Sequence, residues 1–306
     1  MIIRLKETSD ALGNITLNHQ DFDNGFCISI VPNAGARLEV SNQNQLNEGF
    51  KFAEEYNALY LRLIVYKDDV SLSFENLGYI KKLNTIYFNF YGKNNKLKLL
   101  PNTCLKLNSL LEMEFIAEYP VLFNQFYAIS NLKKLTISYH KKSIGWIELE
   151  NLFDLKVHKF QENDLTSLKK MKYLKRLNLE KGSLKSLNGI ENLINLETLI
   201  INDLRYLTGL KALEKASSLE NIIFRPYKKV EDWEFLLNLP KLKLIALDKA
   251  ESISFFDKMP NLIFGSVANV IDGNFQPQYR IEEKYQNTGI PNSQYSKAIA
   301  PNTYLN

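Results

Sequence analysis

The sequence predicts an α/β repeat fold: a solenoid with a parallel strand ribbon on its concave face and turns or short helices on its convex side. Two observations support this prediction. Large aliphatic residues recur three positions apart and end in a pair separated by one residue, as in Leu165, Leu168, Met171, Leu174, Leu177 and Leu179. Such pairs also recur along the chain from Ile86 to Gly265, at steps of 20 to 27 residues.

Each part of the repeat follows from its spacing. The alternation in Leu177-Asn178-Leu179 places both leucines on one side of a short strand. Spacing by threes before the strand is typical of tight turns, including 3-10 segments, which align every third side chain. Because one repeat cannot bury this apolar face alone, its neighbours must stack against it. An ordinary helical bundle does not fit, since amphipathic helices mix spacings of three and four.

The clear repeats, about nine of them, run from Ile80 to Val267. Their internal spacing and their period resemble those of the leucine-rich repeat family, in which one repeat spans about 20 to 29 residues. The family commonly has asparagine or cysteine three residues after the second strand leucine. Here those positions hold Tyr91, Glu118, His140, Phe160, Gly182, Leu204, Tyr227 and Ala250. We therefore expect an irregular coil whose turns are satisfied by other groups.

The two ends differ from the solenoid of residues 56–270. Residues 1–55 are predicted to form an N-terminal β-rich cap or small domain, because a solenoid end exposes apolar side chains. Short strands bounded by turn residues are expected at Met1–Leu5, Asn14–Asn18, Phe26–Val31 and Arg37–Val40, and another at Tyr60–Val65. Residues 271–306 lack the leucine spacing and are rich in Pro, Asn, Gln and Tyr. They are predicted to be an extended C-terminal tail or an arm packed along the solenoid.

Little in the sequence indicates chemistry. There is no GxSxG, HExxH, Gly-rich phosphate loop or CxxC motif, and the three histidines are too scattered for a metal motif. Cys27 and Cys104 lie beside apolar residues and are expected to be buried free thiols, with a single long-range disulfide as the alternative. We predict no enzyme activity, no cofactor and no metal. An enzyme that uses the N-terminal region is the alternative left open.

Composition limits the location and the partners. A 45% hydrophobic content supports a well-filled core. The N-terminus reaches charge at once and lacks the apolar core of a signal peptide, and no stretch approaches the ~18 apolar residues of a membrane span. The sequence therefore predicts a cytoplasmic protein with no membrane partner. A net charge of +4 is low for a dedicated nucleic-acid binder.

The repeat pattern also predicts which side chains point outward from the strand ribbon, since these flank each buried pair. Four basic outward residues are opposed by five acidic ones, so no stripe for phosphates exists and nucleic acid is not a predicted partner. Towards the C-terminus the outward residues form an apolar cluster, which is expected to be a contact surface for a partner or to lie under the tail. The residues predicted to bind a partner are Tyr87, Glu112, Glu114, Lys134, Thr136, Asp154, Lys156, His158, Arg176, Asn178, Glu180, Ile200, Asn202, Ile223, Arg225, Leu244 and Asp248.

The function predicted from these features is recognition of another protein through the concave face. We expect a protein that is monomeric when unbound. The preferred concrete form is an immunity protein that neutralises an interbacterial toxin, whose toxin domain would be the partner. The alternative is a cytosolic signalling or enzyme-regulating adaptor.

Overall fold

A computed structural model describes residues 5–10, 14–21, 23–98, 103, 106–117, 129–141, 145–225, 233–250, 254–270 and 278–281. The chain divides into two compact units, which we call unit 1 (Met1–Leu152) and unit 2 (Phe153–Asn306). The predicted fold class is confirmed: both units contain a ribbon of parallel strands with short 3-10 helices in the connections.

Unit 1 begins with an antiparallel meander that leads into the parallel ribbon. The meander consists of β1 (Lys6–Ser9), β2 (Ile15–Asp21), β3 (Phe26–Val31) and β4 (Gly35–Glu39). The ribbon continues in parallel from β4 through β5 (Tyr60–Val65), β7 (Thr85–Phe90), β9 (Glu112–Ala117) and β10 (Lys134–Ser138). A small parallel pair joins β6 (Ser71–Ser73) to β8 (Lys96–Lys98), and 3-10 helices occupy Glu75–Tyr79 and Gly145–Glu148.

The N-terminal region contains a helix that the strand-based reading of residues 1–55 did not predict. Helix α1 spans Gln43–Glu55 and begins at Asn42, whose side chain accepts a hydrogen bond from the Gln45 backbone N–H. Its buried side includes Leu46, Phe50 and Ala53, a spacing of four and three that indicates an amphipathic helix. The sequence signal was therefore present. Of the strands predicted here, β3 matches its bounds, whereas residues 1–4 of the first lie outside the described residues.

Unit 2 is a ribbon of parallel strands that ends in one antiparallel strand. In order along the sheet these are β11 (Asp154–Phe160), β12 (Arg176–Gly182), β13 (Thr198–Asn202), β14 (Asn221–Arg225), β15 (Leu244–Ala250), β16 (Phe264–Val270) and β17 (Gln278–Ile281). The connections carry 3-10 helices at Thr166–Leu168, Ile190–Asn192, Lys211–Lys215, Glu234–Asn238 and Ser254–Lys258. The antiparallel strand β17 falls within the segment predicted as a tail or arm.

The predicted leucine positions form the core on one side of each ribbon. Leu177 and Leu179 of β12 are fully buried and pair in register with Leu199 and Ile201 of β13. Fully burying an aliphatic side chain contributes about 1.5 to 3 kcal/mol. This repeated burial explains why the triplet-and-pair pattern recurs with so little variation in unit 2.

The asparagine positions of the common family pattern are occupied by groups of a different kind. Phe160, Leu204 and Ala250 are buried apolar side chains there, and Gly182 has a φ of 134°. A Cβ atom on Gly182 would lie 2.0 Å from the carbonyl oxygen of Phe160. Only glycine allows the two repeats to approach so closely at this point.

A second set of polar side chains satisfies the turns instead, at the position four residues before the first strand leucine. Side-chain amides donate there to a backbone carbonyl of the preceding repeat: Asn131 to Asn108 (2.7 Å), Asn151 to Ser130 (3.1 Å), Asn195 to Lys172 (2.7 Å) and Asn261 to Pro240 (2.8 Å). The hydroxyl of Ser218 donates to Leu196 in the same way, at 2.9 Å. Other groups therefore satisfy the turns, as expected. They form a ladder of side-chain amides at a different position of the repeat from the asparagines of the common family pattern.

Candidate protein-binding face

The outward side of the unit 2 ribbon consists of three rows that cross the strands. Successive side chains of a strand point to opposite faces, and the register joins outward residues of neighbouring strands. The three rows are Asp154, Arg176, Thr198, Asn221, Leu244 and Phe264; then Lys156, Asn178, Ile200, Ile223, Ala246 and Ser266; then His158, Glu180, Asn202 and Arg225. These rows contain the predicted partner-binding residues of unit 2 except Asp248, which lies near the end of β15; their role in binding stays a prediction.

The outward residues of β11 and β12 form what we call the polar segment: Asp154, Lys156, His158, Arg176, Asn178 and Glu180. The ammonium group of Lys156 lies 3.2 Å from the Glu180 carboxylate. The side chains of Lys156 and Glu180 remain 34% and 30% exposed, whereas Arg176, 3.9 Å from Asp154, is only 11% exposed. Lys156 and Glu180 are thus the charged groups of this segment most accessible to another molecule, and Arg176 belongs more to the fold.

His158 shares the same glutamate. Its Nδ1 lies 3.2 Å from Oε2 of Glu180. Burial lowers the pKa of His158 from its usual 6.5, and the positive charge of Lys156 lowers it further, while Glu180 opposes both effects. The lowered pKa favours the neutral imidazole, and Lys156 is the cation that pairs with Glu180.

The outward residues of β13 to β16 include an apolar cluster: Ile200, Ile223, Leu244, Ala246 and Phe264. The sequence predicts that these side chains form a contact surface or are covered by the tail. The first four are only 5%, 3%, 2% and 7% exposed, and Phe264 packs against them as a partly buried side chain. Three predicted partner-binding residues, Ile200, Ile223 and Leu244, are therefore inaccessible to a partner in this structure.

Two amide groups border the apolar cluster without satisfied oxygens. Asn178 pairs in register with Ile200, and Asn202 follows Ile200 on the same strand, two residues later. In the described part of unit 2, Oδ1 of both asparagines is buried and accepts no hydrogen bond. Burying such an oxygen without a donor costs about 1 to 3 kcal/mol. An N–H donor placed beside either oxygen would remove this cost. At the far end, Arg225 is exposed and Asp248 is half-buried.

Unit 1 presents a separate outward face around Glu112. The Tyr87 hydroxyl donates to the Glu112 carboxylate at 2.7 Å, and Lys134 lies 2.9 Å from the same oxygen. Burial raises the pKa of Tyr87, and the bond to Glu112 raises it further. Glu114 is half-buried, and Thr136 is buried at 8% exposure. Here too two outward charges of opposite sign, Glu112 and Lys134, are held in contact with each other.

Two residues of this unit 1 face, Tyr60 and Arg62, were not predicted from the sequence. The ring of Tyr60 meets that of Tyr87 edge-on, with centroids 5.2 Å apart. Arg62 is paired in register with Tyr87 and donates from Nε to Asn89 at 3.0 Å. The sequence predicts strand β5, but neither Tyr60 nor Arg62 is among the predicted partner-binding residues. Its alternation, Tyr60-Leu61-Arg62-Leu63, was the signal that both residues point outward.

The described residues contain no cluster of three or more His, Cys, Asp or Glu side chains able to hold a metal ion. Cys27 is a free thiol that is half-buried, so it is less enclosed than expected, and burial raises its pKa. Cys104 lies outside the described residues. Among the described helices, none is both long and apolar enough to cross a membrane.

Solved structures with a similar fold are leucine-rich repeat proteins. The Drosophila Toll–Spatzle complex in its glycosylated form matches at a TM-score of 0.59 and 12% identity, covering 86% of this chain and 38% of that one. The mouse RP105/MD-1 complex matches at 0.53 and 23% identity, covering 72% and 40%. The TLR13–ssRNA13 complex matches at 0.54 and 20% identity, covering 74% and 34%.

These similarities define the fold as that of the leucine-rich repeat proteins, as the repeat spacing predicted. The chain spans about a third to two fifths of the length of these chains. No protein-family model matches the sequence, and no curated protein matches it either. The similarity therefore shows the fold alone.

Proposed function

We propose that this chain is a non-catalytic protein-binding module that recognises a partner protein through the outward side of its strand ribbon. The observation that carries the proposal is the polar segment. There, Lys156 and Glu180 stand on adjacent strands, paired with each other and about one-third exposed. Charges of both signs, held on hydrogen-bonded strands, give specificity for a partner of complementary pattern.

The pairing of the charges favours a protein over a nucleic acid. Phosphate recognition needs lysines and arginines that are free to replace counterions along a backbone. Here Lys134 is bonded to Glu112 and Lys156 to Glu180. The TLR13 structure contains RNA, whereas the Toll and RP105 structures contain Spatzle and MD-1. The balanced charge of this chain's faces resembles what a protein partner requires.

In its concrete form, the proposal is a cytoplasmic immunity protein, monomeric when unbound, that neutralises a toxin delivered by neighbouring bacteria. An inhibitor of this kind needs a rigid surface and no chemistry of its own. It would form a tight complex of one copy with one toxin domain. An adaptor, the other form of the proposal, would instead bind several resident proteins with weaker affinity.

The test measures the affinity of a purified partner for charge variants of the polar segment. A partner is captured from native lysate, identified by mass spectrometry and purified, starting with any product of an adjacent gene. Lys156→Glu places a negative charge beside Glu180, and we expect it to weaken binding about tenfold or more. Arg176 is unsuitable for this purpose, because its burial would confound binding with folding.

Lys172→Glu is the matched control, since it makes the same charge change at an exposed position outside the strands. Equal affinity of the Lys156→Glu and Lys172→Glu variants would remove the polar segment from the binding face. A single partner that forms a one-to-one complex supports the immunity protein. Capture of many resident proteins that all respond to Lys156→Glu supports the adaptor.

A further inference from the structure

Two charged side chains on the outward face of unit 1 have no ionic partner. The Arg62 guanidinium donates from Nε to Asn89 at 3.0 Å, and it forms no ion pair with any described carboxylate. The Glu114 carboxylate has neither a hydrogen bond nor an ion pair among the described residues. On the same face, Glu112 is already in contact with Lys134. Arg62 and Glu114 are therefore the charges of this face that are available to another molecule.

Arg62 and Glu114 lie on either side of Tyr87. The register pairs Arg62 of β5 with Tyr87 of β7, and Tyr87 with Glu114 of β9. The Cα atoms of Arg62 and Glu114 are therefore two interstrand spacings apart, or about 10 Å. The Tyr60 ring packs edge-on against that of Tyr87. The face thus has a positive end, an aromatic middle and a negative end.

We propose that this part of the unit 1 face binds a segment of a partner protein through one acidic and one basic side chain. The acidic side chain pairs with Arg62 and the basic one with Glu114. The chain between them crosses the rings of Tyr60 and Tyr87. This inference rests on the proposed function, because it specifies the chemistry of the partner, and it adds a contact region separate from the polar segment of unit 2.

The bonding of Arg62 suits a carboxylate. Because its Nε is bound to Asn89, the guanidinium is oriented and its two terminal nitrogens remain for another group. Two such nitrogens match the two oxygens of a carboxylate in a bidentate pair. Arg37 of β4 is the register neighbour of Arg62 and is itself in contact with Glu39. A carboxylate on Arg62 therefore also meets the positive charge of Arg37.

The negative end of this face favours a protein segment over a chain of phosphates. A polyanion bound to Arg62 would place further negative charge beside Glu114 and Glu112, and that contact is repulsive. A lysine or arginine of a protein segment instead gains an ionic partner in Glu114. Between the charges, the half-buried rings of Tyr60 and Tyr87 supply the amphipathic contact area that is typical of protein interfaces.

The test uses a random display library of short peptides and needs no natural partner. Peptides that bind the parent chain are selected, and those that no longer bind the Arg62→Glu variant are kept. We expect these peptides to share one acidic and one basic residue. The tightest of them, once synthesised, should bind Arg62→Glu about tenfold or more weakly. Arg62→Lys should weaken binding less, because it keeps the charge but loses the bidentate geometry.

The two ends of the site are separated by changing the peptide as well as the protein. With glutamine in place of the acidic residue of the peptide, Arg62→Glu should have little further effect, because the interaction is already lost. Glu114→Lys should weaken binding of the original peptide but not of one whose basic residue is replaced by glutamine. Lys82→Glu is the matched control, since Lys82 is exposed in a turn outside the strands, and it should leave the affinity unchanged. Circular dichroism establishes that each variant is folded.

The proposal is wrong if no selected peptide depends on Arg62, or if the peptides that do depend on it lack the acidic and basic pair. An effect of Arg62→Glu that persists against the glutamine peptide would also overturn it. Peptides whose binding depends on Lys156 and not on Arg62 would support the proposed function and contradict this inference. Equal affinity of the natural partner for Lys156→Glu and Lys172→Glu would instead count against the polar segment and leave the peptide result unaffected.

Discussion

Asn178 on β12 is paired in register with Ile200 on β13, and between these two neighbours the outward side of unit 2 changes from polar to apolar. On one side of the boundary, the charged pair of Lys156 and Glu180 is partly exposed. On the other side, Ile200 and Ile223 are almost completely buried. The same ribbon of unit 2 thus has a polar, partly exposed part next to an apolar part that is buried like a protein core.

The first prediction concerns the burial of Ile223. If the outward side of β14 is a true core, Ile223→Ala should lower the free energy of unfolding by about 2 to 4 kcal/mol, as for other buried aliphatic residues. Ile194→Ala is the control, since Ile194 is 62% exposed, and it should cost less than about 1 kcal/mol. Urea denaturation measures both, and equal losses would contradict the burial of Ile223.

The second prediction concerns Gly182. Gly182→Ala should lower the free energy of unfolding by roughly 2 kcal/mol or more, because the Cβ meets a backbone oxygen and the φ of 134° is strained for any side chain. Gly209→Ala serves as the control, since its Cβ would meet the Ser186 side chain at 2.9 Å. Thermal unfolding should show a larger loss for Gly182→Ala, and the reverse order would refute the close approach.

The third prediction is a dependence of stability on pH that arises from His158. Its pKa is lowered in the folded protein, so below the usual value of 6.5 the unfolded chain binds the proton first. Stability from the neutral ring is therefore fully present above pH 6.5 and declines as the pH falls through the lowered pKa.

We expect His158→Gln to remove this contribution. The drop in the midpoint of thermal unfolding between pH 7 and pH 5 should be smaller in the variant than in the parent chain. The comparison is His140→Gln, at a histidine that lies outside the strands. A drop that His158→Gln leaves unchanged would show that the ring is not held neutral by its surroundings.

The fourth prediction concerns the displaced amide ladder. Asn195→Ala removes a hydrogen bond of 2.7 Å to the Lys172 carbonyl, and we expect a loss of about 1 kcal/mol in the free energy of unfolding. Lys241 occupies the equivalent position of another repeat without a hydrogen bond of this kind among those described. Lys241→Ala should therefore be nearly neutral. Similar effects of the two substitutions in urea denaturation would mean that the ladder adds nothing.

Much of the fold could be predicted because it depends on side-chain periodicity. The alternation of Leu177 and Leu179 indicates a strand with one buried side. The register of β12 with β13 follows once the repeats stack. Helix α1 was not predicted, although Asn42, Leu46 and Phe50 have the spacing of a capped amphipathic helix, because the turn residues of this region also fit short strands.

The candidate site, like the fold, could be predicted from the sequence only in part. Alternation alone assigned Lys156 and Glu180 to the outward side, but it also assigned Ile223 there and left its environment undetermined. Whether an outward side chain meets water depends on what lies above it, and that contact joins residues distant in the sequence. The pairing of His158 with Glu180, and the burial that keeps its ring neutral, likewise depend on two repeats being brought together.

By itself, the sequence determined the repeat, its period and the side of the strand on which each residue lies, because these follow from local backbone geometry with periods of two and three residues. Only the tertiary structure decided that Gly182 must be glycine, that an amide ladder stands at a displaced position, and that half of the outward face of unit 2 is closed to water. The physical reason is that close approach, hydrogen bonding and burial are properties of pairs of residues, and the members of these pairs lie about one repeat or more apart along the chain.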